Sequence, residues 1–209
     1  MANPLTLPGD LVIPGSLRIT GTISPAMAKS SVLAIAELQP YNIPWSAWRT
    51  FDAMGTPIPS AAANDDLGLV GGTHGSGHVS IQAGDVGEAN SVRYARAVIA
   101  MPWDYVAGQS AKLRFYAGCL TAAADTTCTL DIAAYIMDGD NTVGADVAAA
   151  AVANNMNSAV FANVDFALTP TNLAPGTELD VLLSITYNDA GTAVVVPCIG
   201  RCQLLVDVR

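Results

Sequence analysis

Charged residues make up 13% of this 209-residue chain, roughly half the usual share, and positive charge is the scarcer sign. Nine Lys and Arg stand against 18 Asp and Glu, a net charge of −9, and lysine occurs only at Lys29 and Lys112. Nucleic-acid binders draw much of their affinity from a basic stripe that neutralises phosphates. No such stripe exists, so a nucleic-acid partner is excluded. Long hydrophobic runs are missing as well. The longest, residues 147–153, falls far short of the roughly 20 residues that a helix needs to cross a bilayer, so no membrane partner is expected. The first residues, Met1 to Gly9, contain neither a basic region nor an unbroken apolar stretch. No secretory signal is readable there, and export by that route is not expected.

What the chain has is apolar bulk. Hydrophobic residues make up 51% of it, ample for the core of one domain or two small ones, and disorder is excluded as the main state. A chain this apolar and this sparsely charged is expected to cover much of its surface in an assembly, with the acidic surplus keeping the rest hydrated.

The most specific pattern lies in residues 1–24. From Leu5 the chain falls into hexads: Leu-Thr-Leu-Pro-Gly-Asp, Leu-Val-Ile-Pro-Gly-Ser, Leu-Arg-Ile-Thr-Gly-Thr, then Ile23-Ser24. Each is a short alternating strand followed by a turn at Gly9, Gly15 or Gly21, where glycine accepts a positive φ. Leu5, Leu7, Leu11, Ile13, Leu17, Ile19 and Ile23 share one apolar face. Three hexads cannot bury that stripe by themselves. Copies from other chains, intertwined about a threefold axis, would cover it, which makes residues 1–24 a trimerisation and anchoring arm. An edge hairpin folded onto the main domain is the other reading of the same residues.

Residues 25–44 read as a junction, with Ser24-Pro25 opening a helix to about Leu38 or an extended arm, ended by Pro40 and Pro44. From Trp45 to the C-terminus the pattern is short strands parted by turn clusters. Strands are predicted at 45–51, 77–82, 91–101, 111–119, 128–137, 159–168, 178–187 and 193–208, the last broken at Pro197 or Gly200. Alternation is clear where Leu113 and Phe115 oppose Lys112 and Arg114, and in Leu179, Val181, Leu183 and Ile185. Only the alanine-rich stretch 146–155 suggests a helical turn. The fold class is all-β: an antiparallel β-sandwich, a jelly roll over 45–209, carried on the hexad arm.

Candidate chemistry is thin. His74 and His78 have a helical ligand spacing, but Gly71, Gly72, Gly75 and Gly77 among them favour a loop. Ser76 is no nucleophile elbow, because His74 stands where that motif needs glycine and no strand-to-helix context surrounds it. Asp138-Gly139-Asp140-Asn141 begins like a calcium loop, yet Val143 and Ala149 occupy its sixth and twelfth places, so an Asp-Gly turn is expected and no metal. Asp65-Asp66 reads as a solvated loop pair. No nucleophile, base and orienting group recur at recognisable spacing, so neither an enzyme nor a cofactor is expected.

Four cysteines allow three full pairings. A tight turn at Ala123-Ala124 would set Cys119 and Cys128 opposite one another, whereas Cys198 and Cys202 lie ~13 Å apart on an extended strand. Buried thiols are preferred over a disulfide in a reducing cytosol. Of the aromatics, Trp45, Trp48, Trp103, Tyr105 and Tyr116 are candidates for a sugar platform, against which stands the core's own need for rings.

In layout the chain resembles the decoration (cement) and head-fibre proteins of tailed bacteriophages. The resemblance rests on the hexads Leu5 to Ile23, on Arg96-Ala97-Val98-Ile99-Ala100-Met101-Pro102-Trp103-Asp104, on Ala134-Tyr135-Ile136-Met137-Asp138-Gly139-Asp140, and on the closing Gly200 to Arg209. It implies a homotrimer bound to the major capsid protein on the virion surface, made in the host cytoplasm and stabilising or decorating the shell. The alternative on the same architecture is a receptor- or carbohydrate-binding fibre module with a glycan or host-surface ligand. An aromatic-lined pocket with convergent polar groups would favour the alternative.

Overall fold

Alternation with period two decides the long strands. The computed structural model describes residues 38–85, 90–120, 124, 127–188 and 195–208. Its strands are β1 (Gln39–Asn42), β2 (Trp48–Arg49), β3 (Gly68–Val70), β4 (Ser80–Gln82), β5 (Ser91–Ala100), β6 (Ala111–Cys119), β7 (Thr127–Met137), β8 (Val143–Asp146), β9 (Asn154–Asn155), β10 (Ala162–Leu168), β11 (Glu178–Asn188) and β12 (Pro197–Val206). Leu113 and Phe115 on β6 point inward while Lys112 and Arg114 point out; on β11 Leu179, Val181, Leu183 and Ile185 are buried.

Two antiparallel sheets result. Sheet I runs β10-β6-β12-β4-β3, with β1 sharing the second edge of β12 with β4. Sheet II runs β2-β5-β11-β7-β8, with β9 also on β7. The long strands alternate between sheets along the chain, β5 in II, β6 in I, β7 in II, β10 in I, β11 in II and β12 in I, which is the wrapping of a jelly roll. The core between the sheets sets rings against small residues. Phe115 meets Trp48 at 6.5 Å and Phe166 edge-on at 6.0 Å, while Ala95, Ala97 and Ala134 leave room for them.

Several expectations change. The stretch 45–51 is not one strand: Trp45–Ala47 forms a single 3-10 turn after Pro44, and only Trp48 and Arg49 pair, because Trp48 turns into the core. β1 lies inside the expected junction, so the sandwich begins before Trp45. In the stretch 146–155, where a helical turn is expected, the structure has a single hydrogen-bonded turn, Ala151 N–H on the Ala148 carbonyl at 2.7 Å. The last strand starts at Pro197 and is interrupted at Gly200, where the register with β6 shifts between Ile199 and Arg201. The anchor residues Leu5, Leu7, Gly9, Leu11, Ile13, Gly15, Leu17, Ile19, Gly21 and Ile23 lie outside the described residues, as does the helix or arm expected over 25–37. Among the described residues no helix is long and apolar enough to cross a membrane.

Candidate functional site

The alternation that fills the core also fixes what sheet II shows on its outer face. Across β5, β11 and β7 the outward rows read Val98, Asp180, Tyr135; then Arg96, Leu182, Ala133; then Tyr94, Ser184, Asp131. Arg96 forks onto the carboxylate of Asp180, Nε donating to Oδ1 at 2.7 Å and Nη2 to Oδ2. That hydrogen-bonded pair raises the guanidinium pKa above its ordinary value, against the opposing effect of partial burial.

One end of this face is raised by the turn from β7 to β8. Gly139 and Asn141 take φ of +76° and +69° there, in the left-handed region that Gly and Asn tolerate best. The Thr142 hydroxyl and N–H both donate to Asp140 Oδ1, at 2.6 and 3.0 Å, and hold that carboxyl below its ordinary pKa. A side chain at Gly144 would meet the Ile136 carbonyl at 2.7 Å, so β8 can close on β7 only with glycine there. Between turn and sheet lies an open groove of about 690 Å³. Tyr135, Met137 and Val143 supply its apolar surface; Arg96, Asp180, Asp138, Asn141 and Thr142 supply its polar groups. Tyr135 is 37% exposed, enough for its ring to be touched from outside.

Two carboxylates line the groove, Asp138 and Asp180. Both oxygens of Asp180 are taken by Arg96, so that carboxylate is not placed as a free acid or base. No His, Cys or Lys stands among the described residues lining the groove. Among the described residues no three His, Cys, Asp or Glu side chains gather in one place.

The opposite face, on sheet I, differs in character. Asp165 accepts from Lys112 Nζ at 2.6 Å and from Arg114 Nε and Nη2 at 2.6 and 2.7 Å. Nearby, Arg201 lies over the Tyr116 ring at 5.6 Å, and Tyr116 meets Phe161 at 5.6 Å. The ring of Tyr116 is thus already covered on one side.

The aromatic candidates separate sharply. Trp48 and Tyr105 are core residues, Trp45 packs against the core, and Trp103 is 83% exposed. His74 and His78 sit in an exposed loop between β3 and β4, turned by Ser76 N–H on the Thr73 carbonyl at 2.9 Å. The Asp-Gly turn after β7 forms as expected. Asp66 departs from the solvated reading: its Oδ1 accepts from Phe51 N–H at 2.9 Å, so it is half-buried structure. All four cysteines are buried thiols. Cys119 and Cys128 are not hairpin neighbours, because β6 and β7 belong to different sheets; a hydrogen bond with Cys119 and burial together push the Cys128 thiol pKa up. Burial does the same at Cys202. Reading the sequence for motifs missed Arg96, Tyr135 and Asp180 as a site. The available signal was parity: Tyr135 alternates against Leu130, Ile132 and Ala134, which marks it as outward.

No family model matches the chain, and no curated protein sequence matches it. Among solved structures it is similar to a family 16 carbohydrate-binding module, at 12% identity over 70% of this chain and 88% of that one, with a TM-score of 0.40. It is also similar to the CBM22-1 xylan-binding domain of Paenibacillus barcinonensis Xyn10C, at 12% identity over 83% and 96% with a TM-score of 0.41. A third, the xylan-binding module CBM15, gives 12% identity over 82% and 99% with a TM-score of 0.40.

Proposed function

We propose that the sandwich is a non-catalytic glycan-recognition module of a phage fibre, taking its ligand in the groove on sheet II. One observation carries this: an accessible tyrosine ring, two aliphatic side chains, a charged Arg-Asp fork and a turn rich in amide, hydroxyl and carboxylate groups all converge on one open groove. A sugar ring presents an apolar C–H face and a rim of hydroxyls. The first suits Tyr135, Met137 and Val143; the second suits Arg96, Asp180 and Asn141, since hydrogen bonds to charged groups are the stronger ones. The test is to screen the full chain on an array of plant and bacterial-surface polysaccharides, xylan included, and then to titrate the retained glycans. Tyr135→Ala is expected to weaken binding about tenfold, or ~1.4 kcal/mol, with the melting temperature unchanged. An array that retains nothing, or a Tyr135→Ala protein that binds as tightly as the parent, removes the assignment.

A second reading, capsid decoration, is favoured by the hexads. Their seven-residue apolar stripe asks for partner strands, and a homotrimeric arm seated on the major capsid protein at the virion surface would provide them. The two readings are compatible, the arm displaying the module.

A further inference from the structure

We infer that Trp103 is a second sugar-stacking platform of the same site, so that the ligand is an oligosaccharide long enough to reach from Tyr135 to Trp103; this rests on the glycan-binding reading above. Three strand ends meet at one end of sheet II. β5 finishes at Ala100, which pairs with Glu178 at the start of β11, and the next β11 residue, Leu179, pairs with Ile136 one position before the end of β7. Tyr135 and Met137 therefore stand at the same end as the loop that follows β5, which carries Trp103. β7 and β5 are separated by two strand spacings, roughly 10 Å.

The indole is exposed yet held. Gly176, with φ of +78°, lies against its outer edge: a Cβ at that position would come within 2.7 Å of the ring. The two loops are tied together by Gly176 N–H on the Met101 carbonyl at 3.0 Å and Met101 N–H on the Thr177 carbonyl at 2.8 Å. Tyr105 N–H closes the turn on the Pro102 carbonyl at 3.1 Å, and the Tyr105 ring is buried in the core below. The neighbouring Asp104 carboxylate receives the Tyr41 hydroxyl on both oxygens, at 2.6 and 2.7 Å. The outer edge of the indole thus lies against the Gly176 backbone while most of the ring stays in solvent, with the Asp104 carboxylate next to it in sequence. Protein partners are held by contiguous apolar patches. Beside Trp103 stand its chain neighbours Pro102 and Asp104 and, against the ring edge, Gly176, too small or too polar for such a patch and well suited to hydroxyls around a stacked sugar ring.

The experiment uses the full chain and β-1,4-linked gluco- and xylo-oligosaccharides together with O-antigen fragments, from disaccharide to hexasaccharide. Of the three tryptophans, Trp48 is buried and Trp45 half-buried, so acrylamide quenching reports mainly on Trp103. Longer oligosaccharides are expected to bind more tightly, to shield the indole from acrylamide and to shift its emission to the blue, whereas disaccharides do neither. Trp103→Ala should lose the gain with length, about tenfold, and keep the disaccharide affinity. If oligosaccharides of every length bind Trp103→Ala as they bind the parent, or leave the parent's indole open to acrylamide while Tyr135→Ala abolishes binding, the platform is refuted and the groove stands. If no oligosaccharide binds the parent chain, both fall together.

Discussion

At the scale of single residues, Asp165 shows how a poorly charged protein uses the few charges it has. Its carboxylate takes both Lys112 and Arg114, and its pKa is lowered chiefly by the Arg114 hydrogen bond and then by Lys112, against the effect of burial. A carboxyl whose pKa is lower folded than unfolded stabilises the fold fully above its unfolded value, ~3.9. That stabilisation fades as pH drops through the lower folded value. Asp165→Asn is therefore expected to cost at most ~1 kcal/mol at neutral pH, the pair being partly exposed, and to flatten the acid side of the melting-temperature profile. An Asp165→Asn protein that loses stability in acid as steeply as the parent would show that the pairing is not coupled to folding. Burial of individual side chains was only partly legible. The core's need for rings argues that several of them pack, and Trp48 and Tyr105 do. Trp103 does not: it stands exposed in the loop after β5, with the Gly176 backbone, distant in sequence, against only the outer edge of its ring.

For the elements, legibility followed length. β6 has the ends the alternation predicts, and β5, β7 and β11 come within a residue of theirs, whereas β12, ten residues long, narrows from the expected 193–208 because its period breaks at Gly200. β3, β4 and β9 hold two or three residues and have no period to read. The spacing from Cys119 to Cys128 looked like a hairpin because local sequence does not reveal that the chain crosses to the other sheet. Gly176 offers a test at this scale. Its positive φ makes alanine strained by roughly 1–2 kcal/mol, and the indole, being the free end of a side chain, would swing aside before the backbone moved. Gly176→Ala should therefore lower stability modestly and alter tryptophan quenching at the same time. A melting curve and an emission spectrum both matching the parent would mean that the ring does not rest on that turn.

For the whole molecule, the issue is what the hexads contribute. The described core runs from Ile43 to Val206, and Glu37–Arg209 form one compact unit. Every strand of the two sheets finds its partner within that unit, so the sandwich has the pairing and core it needs to fold when residues 1–24 are removed. The hexad stripe, by contrast, alternates as cleanly as any strand of the sandwich but in units too short to form a sheet alone. If three copies share it, the full chain should run in light scattering at three times its 21.5 kDa mass. The form lacking residues 1–24 should run as a monomer with a cooperative melt close to the parent's. Glycan binding per chain should survive the truncation, since the groove and Trp103 both lie in the sandwich, while retention of long polysaccharides should fall because three linked sites raise avidity without any new contact. A full chain of monomer mass at micromolar concentration would take away the trimer, and with it the reason for reading the hexads as an arm that displays the module.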